Sequence, residues 1–198
     1  MDPMNFMKVA TLLYPKMEEF NRYSLDHYYV HHIFQALSYF ELETAFVSIP
    51  VFDALIGNQD RHCDNWGIIR AKGQYVLAPI YDNGASLGFN LKQERLTKML
   101  KDDRMFQAFT NRSYSLIGIQ NKQKPKHIEL LFELKKNYSR EIQDVISRFT
   151  ILNKTNIQNI LDDIPDSIMN EVYKEWVLKL LLYRRDWLIN RLGGRENQ

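Results

Sequence analysis

The residues best suited to chemistry fall in two short runs, Gly57-Asn58-Gln59-Asp60-Arg61-His62-Cys63-Asp64-Asn65 and Tyr81-Asp82-Asn83-Gly84. They set out a carboxylate, a carboxamide five residues on, and a second carboxylate seventeen residues after that. Phosphoryl transfer uses such a set. One carboxylate meets the acceptor hydroxyl, while a carboxamide and a second carboxylate hold Mg2+ on the phosphates of ATP. Magnesium takes hard oxygen ligands and usually only one or two of them from protein, which suits Asn65 with Asp82. Asp60 is then left to orient the hydroxyl and accept its proton. Two neighbours keep two readings each. Arg61 stabilises phosphate charge or pairs with a structural carboxylate. His62 donates to a phosphoryl oxygen or locks the loop through a backbone hydrogen bond. Asp, Asn and Gly are ordinary turn residues, so either run alone is weak; the ordered set is the signal.

These residues need elements to bring them together. Trp66-Gly67-Ile68-Ile69-Arg70 and Gln74-Tyr75-Val76-Leu77-Ala78 flank Ala71-Lys72-Gly73, a β-hairpin pattern that Pro79 ends. The two polar runs sit at its open ends, so a hairpin makes Asp60, Asn65 and Asp82 converge. Residues 17–47 read as largely helical, with Ser24 as cap, Asp26 in the first turn and Leu25, Tyr29, Ile33, Ala36, Leu37 and Phe40 at helical spacing. Pro50 is expected to stop that run before the short apolar piece Val51-Phe52-Asp53-Ala54-Leu55-Ile56. Further on, residues 126–136 are periodic, and Ile142, Val145, Ile146 and Phe149 continue a helical stripe. Thr155-Asn156-Ile157-Gln158 is a capping-box pattern. The last helix is expected from Ser167 as N-cap to about Leu192, stopped by Gly193-Gly194, with Ile168, Val172, Trp176, Val177, Leu180, Leu181, Trp187 and Leu188 on its apolar face. The fold class is mainly α with a small β-hairpin.

Composition excludes several classes. The chain has 198 residues, 45% apolar and 25% charged, enough for one domain with a proper core. A net charge of +2 does not indicate nucleic-acid binding, and Lys122-Gln123-Lys124-Pro125-Lys126 reads as a solvated loop. Cys63 is the only cysteine, so no internal disulfide forms and a reducing compartment is favoured. No run approaches the ~18 apolar residues of a membrane span, and the start lacks the pattern of a secretion signal. The expected location is cytoplasmic, with no membrane partner.

Gly57 to Asn65 resembles the G-x-x-D-R-H-x-x-N catalytic loop of the phosphatidylinositol 3-/4-kinase-like group. The wider stretch from Phe52 through Tyr81-Asp82-Asn83-Gly84-Ala85-Ser86-Leu87-Gly88 is similar to bacterial HipA-type serine/threonine kinases, as, less specifically, are Ile164-Pro165 and the helix carrying Tyr183-Arg184-Arg185-Asp186. The resemblance implies that Asp60 is the catalytic aspartate, Asn65 a magnesium ligand, Asp82 the aspartate of the DFG-equivalent motif and His62 the loop histidine. It implies a single domain over 1–198, a helical kinase C-lobe with its catalytic segment in 51–90 and a helical remainder in 91–198. ATP and Mg2+ are the implied cofactors and a protein serine or threonine the implied acceptor.

The chain departs from that pattern before residue 50. It has no G-x-G-x-x-G, no run of alternating strands and no Val-x-x-Lys, and all eight glycines lie at position 57 or later. The expectation is a C-lobe whose N-lobe is absent, supplied instead by a partner chain or a longer protein, and which clamps ATP weakly by itself. The alternative is a non-catalytic kinase-like module that docks a partner, as in a toxin–antitoxin pair; the intact trio Asp60, Asn65 and Asp82 argues against it. A lipid kinase rests on the Asp-Arg-His wording alone. Elsewhere, His27, His31 and His32 suggest a packed aromatic–histidine surface more than a metal pair. Cys63 lacks the base of a nucleophile, and Trp176 and Trp187 belong to the core of the last helix.

Overall fold

The computed structural model describes residues 6–14, 25–120 and 122–193, to which every structural statement below refers. The chain forms β1 (Phe6–Lys8), α1 (Val9–Leu13), α2 (Val30–Ser38), α3 (Glu43–Phe46), α4 (Ser48–Ile56), β2 (Gly67–Ala71), β3 (Gln74–Leu77), α5 (Gln93–Lys101), α6 (Asp103–Thr110), α7 (His127–Ser147), a 3-10 turn (Arg148–Ile151), α8 (Lys154–Asp162) and α9 (Glu171–Leu192). It is a mainly helical lobe with one small antiparallel sheet. The hairpin is present as expected. Lys72 and Gly73 turn it at φ 51° and 81°, a pair of positive angles that matches the twist of the flanking strands. The hairpin is not alone, because β1 pairs with β2 through Met7 and Ile68 to give the order β1-β2-β3. Three residues are too short to show a period, so that strand had no sequence signal.

Several helical boundaries differ from the expectation. Of the helix proposed over 17–47, residues 17–24 with the cap Ser24 lie outside the described residues, Leu25, Asp26 and Tyr29 precede the first helical turn, and the rest is α2 and α3, broken at Tyr39–Leu42, where Glu41 takes a φ of 56°. Pro50 does not stop a helix. It occupies the first turn of α4, where its missing N–H would have had no intrahelical partner, so Val51–Ile56 are helical. α8 is capped by Asn153, whose side chain accepts from Asn156 N at 2.9 Å, and not by Thr155. α9 is capped by Asn170, which accepts from Tyr173 N at 3.0 Å; Ser167 lies in the preceding turn and Ile168 is 77% exposed.

The apolar side chains form two cores. The larger joins Ile33, Leu37, Phe46, Val51, Ala54, Trp66, Leu130, Leu134 and Ile142 with Leu188 and Leu192. The second gathers Leu96, Met99, Phe106, Ile157 and Leu161 around Trp176, Val177 and Leu180. α9 belongs to both: its first half closes one core, its second half the other. That is why a 22-residue helix shows apolar side chains around much of its circumference. α4 packs between α7 and α9, which holds the catalytic-type loop that follows it on a buried base.

Candidate active site

α4 is almost wholly buried, and Asp53 lies in the middle of it at 2% exposure. The helix ends in a left-handed residue, Gly57 at φ 69°, and Asn58 N turns back to the Asp53 carbonyl at 3.0 Å. Asn58 then works from both ends of its amide. Its Nδ2 donates to Asp53 Oδ1 at 3.2 Å, while Oδ1 accepts from Asp60 N at 3.0 Å. This turn carries Asp60 out to an exposed position above a buried base.

Arg61 settles its own two readings. Its guanidinium is 1% exposed and pairs with the carboxylate of Asp53, Nη2 to Oδ1 at 2.9 Å and Nε to Oδ2 at 3.1 Å. The remaining donors reach Asn65 O at 3.1 Å, Tyr81 O at 2.7 Å and Asn83 Oδ1. One buried cation therefore ties α4, the 60s loop and the Tyr81–Asn83 segment together. It is a structural clamp, not a surface awaiting phosphate. Burial pushes the Asp53 carboxyl up, and Arg61 and Asn58 pull against that shift.

The clamp brings the predicted residues into one neighbourhood. Asn65 is buried and donates Nδ2 to the Asp60 carbonyl at 2.9 Å, so its Oδ1 is the end of the amide left for a ligand. Asp82 lies between the two residues that Arg61 holds and is exposed, with a φ of 54°. Positive φ in a non-glycine residue is costly and is kept where surrounding bonds over-determine it. Those bonds are Arg61 on both sides, Tyr81 Oη to the Asp64 carbonyl at 2.5 Å and Ser86 Oγ to the Asn83 carbonyl at 2.5 Å. His62 is buried, its N–H bonds to Asp60 O at 2.9 Å, and its Nδ1 has no hydrogen-bond partner among the described residues. The side-chain lock considered for it is thus not formed by Nδ1. Trp66, behind Asn65, is anchored by Nε1 to Tyr28 Oη at 2.9 Å.

Beside Asp60 opens a cleft of about 490 Å³, lined by Gln59, Asp60, Gly88, Asn90, Arg95 and Arg184 among others. Asp60 lines it; Asn65 and Asp82 do not. Its far wall is set by Leu87, whose N–H bonds to Ile56 O at 2.9 Å and whose carbonyl accepts from Trp176 Nε1 at 2.9 Å. The sequence reading missed the supporting set Asp53, Asn58 and Asn83. The signal for Asp53 was available: a lone carboxylate within an apolar helix needs a buried partner. The histidines sit together as rings, His31 and His32 at 4.0 Å and His27 edge-on to His32 at 5.4 Å and to Tyr14 at 5.5 Å. No group of three His, Cys, Asp or Glu side chains among the described residues is placed to hold a metal. Lys122 of the basic loop pairs with Glu129 at 2.7 Å. No helix among the described residues is long and apolar enough to cross a membrane.

A helical lobe beside one small antiparallel sheet is the C-lobe architecture of a kinase-like fold. The chain belongs to the family of HipA-like C-terminal domains, whose model matches residues 5–172. A serine/threonine-protein kinase of Helicobacter pylori, CtkA, is 28% identical over 153 residues, which are 75% of this chain and 46% of that protein. The chain therefore spans about half the length of that curated relative. The crystal structure of the H. pylori proinflammatory kinase CtkA matches in fold with a TM-score of 0.76 and 23% identity, over 96% of this chain and 70% of that one.

Proposed function

We propose that this chain is the Mg2+- and ATP-dependent catalytic lobe of a HipA-like serine/threonine protein kinase, completed by an N-lobe from a partner or a longer chain. The observation that carries this reading is the Arg61 clamp, which joins the loop bearing Asp60 and Asn65 to the segment bearing Asp82. Without that junction the three polar side chains would be residues of separate turns.

The donor set suits the metal. Asp82 offers an exposed carboxylate and Asn65 a carboxamide oxygen, both hard ligands, and magnesium asks for few from protein. When bound, Mg2+ neutralises charge on the nucleotide phosphates. Asp60 orients the acceptor hydroxyl, which enters through the cleft that Asp60 lines, and takes its proton as the transfer proceeds. His62, buried next to Asp60 with its backbone N–H on the Asp60 carbonyl, is the loop histidine of this reading. A serine or threonine acceptor is supported by the activity in the relative's name. The need for a covering lobe is supported by the lack of a glycine-rich phosphate loop in the sequence.

The test is phosphate transfer from γ-labelled ATP by wild type, Asp60→Ala and Asp82→Ala, each alone and mixed with the products of neighbouring genes. Wild type with its completing lobe should label protein serine or threonine, and each variant should lose about a hundredfold or more. Equal inertness of all three in every mixture would favour a non-catalytic docking module.

A further inference from the structure

Behind the candidate active site, Arg184 of α9 reaches between α4 and α6 at 6% exposure. It donates Nη1 to Ala54 O at 2.8 Å and approaches Thr110 O with Nη2 at 3.5 Å, and no carboxylate contributes to its surroundings. The carbonyl end of α4 offsets part of a full buried charge, but Nε is left without a partner among the described residues. Two neighbours share that condition. Ser113 Oγ and both ring nitrogens of His127 are buried and complete no hydrogen bond within the described residues. The Asn58 backbone lies near His127 without reaching hydrogen-bond geometry.

These three side chains line one cleft of about 300 Å³, whose rim carries Lys126 and Arg191 and whose lining contains no Asp or Glu among the described residues. Ser113 and Arg184 form the wall it shares with the cleft beside Asp60. A cleft with three cations, a hydroxyl and an imidazole, four unpartnered polar atoms and no acid is complementary to a multiply charged oxyanion.

We propose that Ser113, His127 and Arg184, with Lys126 and Arg191 at the entrance, form a binding site for a phosphate group. The ligand is a phosphate monoester or free phosphate, held by the Arg184 Nε–H, the Ser113 hydroxyl and one His127 N–H. Burial and the neighbouring Arg184 charge hold His127 neutral, with a pKa of about 3, which leaves it one proton to donate. The site does not depend on the phosphotransfer reading, since it contains none of Asp60, His62, Asn65 or Asp82.

The test is isothermal titration of the full chain, in EDTA and at constant ionic strength, with inorganic phosphate and separately with a short serine phosphopeptide and its unphosphorylated form. One-to-one saturable binding is expected. Ser113→Ala should weaken it about tenfold, and Lys126→Gln with Arg191→Gln by at least as much, both variants keeping the wild-type melting temperature within a few degrees. Asp82→Ala should bind as wild type, which separates this site from any phosphate held at the metal ligands. Tighter binding of the phosphopeptide identifies a phosphorylated side chain as the ligand; equal or tighter binding of inorganic phosphate identifies the free anion. Absence of saturable binding by both, or binding that Ser113→Ala and the rim pair leave unchanged, would overturn the proposal.

Discussion

Arg61 meets one carboxylate, two carbonyls and one amide oxygen from a position closed to water. Removing one partner of such a buried pair strands the other charge. Arg61→Ala should therefore cost about 3–5 kcal/mol in urea denaturation. Arg61→Leu combined with Asp53→Leu should recover part of that loss, because no charge is then left buried. A double variant as unstable as the sum of the singles would show the two residues act independently. His127 gives a pH dependence of known sign. The unfolded chain protonates it below about 6.5, while burial and the Arg184 charge hold it neutral in the fold down to about 3. Between those values the unfolded state binds more protons, so acid favours unfolding. Stability should fall by about 1.4 kcal/mol per pH unit below 6.5, or about 3 kcal/mol by pH 4. Urea midpoints across that range in phosphate-free buffer, compared with His127→Leu, measure it; an identical slope in the variant would remove His127 from the account.

At the level of elements, helix ends decide where loops point. Asn170 accepts from Tyr173 N and Ser167 does not cap, so Asn170→Ala should lose about 1 kcal/mol and Ser167→Ala under about 0.5. Thermal unfolding of the two variants separates the observed start of α9 from the one its sequence suggested. The end of α4 is as constrained. Gly57 has a φ of 69°, and an added Cβ would lie 2.8 Å from Arg184 Nη2. Gly57→Ala combines left-handed strain with displacement of a buried guanidinium and should cost about 1–3 kcal/mol. Its effect should reach past stability, since the same turn launches Asn58 and Asp60.

For the molecule as a whole, the question is how much of a nucleotide site one lobe supplies. The described residues join the loop of Asp60 and Asn65 to the segment of Asp82, and in the proposed function the phosphate and adenine cover comes from another lobe. The chain by itself should then bind Mg–ATP weakly, with a Kd on the order of 1 mM, and tighten once a completing lobe is added. Isothermal titration with Mg–ATP decides this, and tight binding by the single chain would remove the need for a second lobe. The two cores bear on the same point. α9 spans both, and Trp176 in the second core holds the Leu87 carbonyl that shapes the cleft beside Asp60.

The mainly helical class, the hairpin and the meeting of the loop of Asp60 and Asn65 with the Tyr81–Asn83 segment were legible because they rest on local signals: hydrophobic period, turn residues and polar spacing. Helix ends were legible only roughly. Asn, Ser and Thr all cap, and only the packed position of a helix selects one of them, which is why Asn153 and Asn170 stand where Thr155 and Ser167 were expected. Pro50 misled for a related reason, since a proline stops a helix or starts one according to which side is already helical. What only tertiary structure decided are the pairings over long sequence separation. Arg61 pairs with Asp53 because the loop after α4 folds back and closes both from water, and Arg184 came to rest beside Gly57 because α9 packs on α4 there. The family was written in residue types and spacing; the partner of each buried charge depended on which surfaces folding placed out of water.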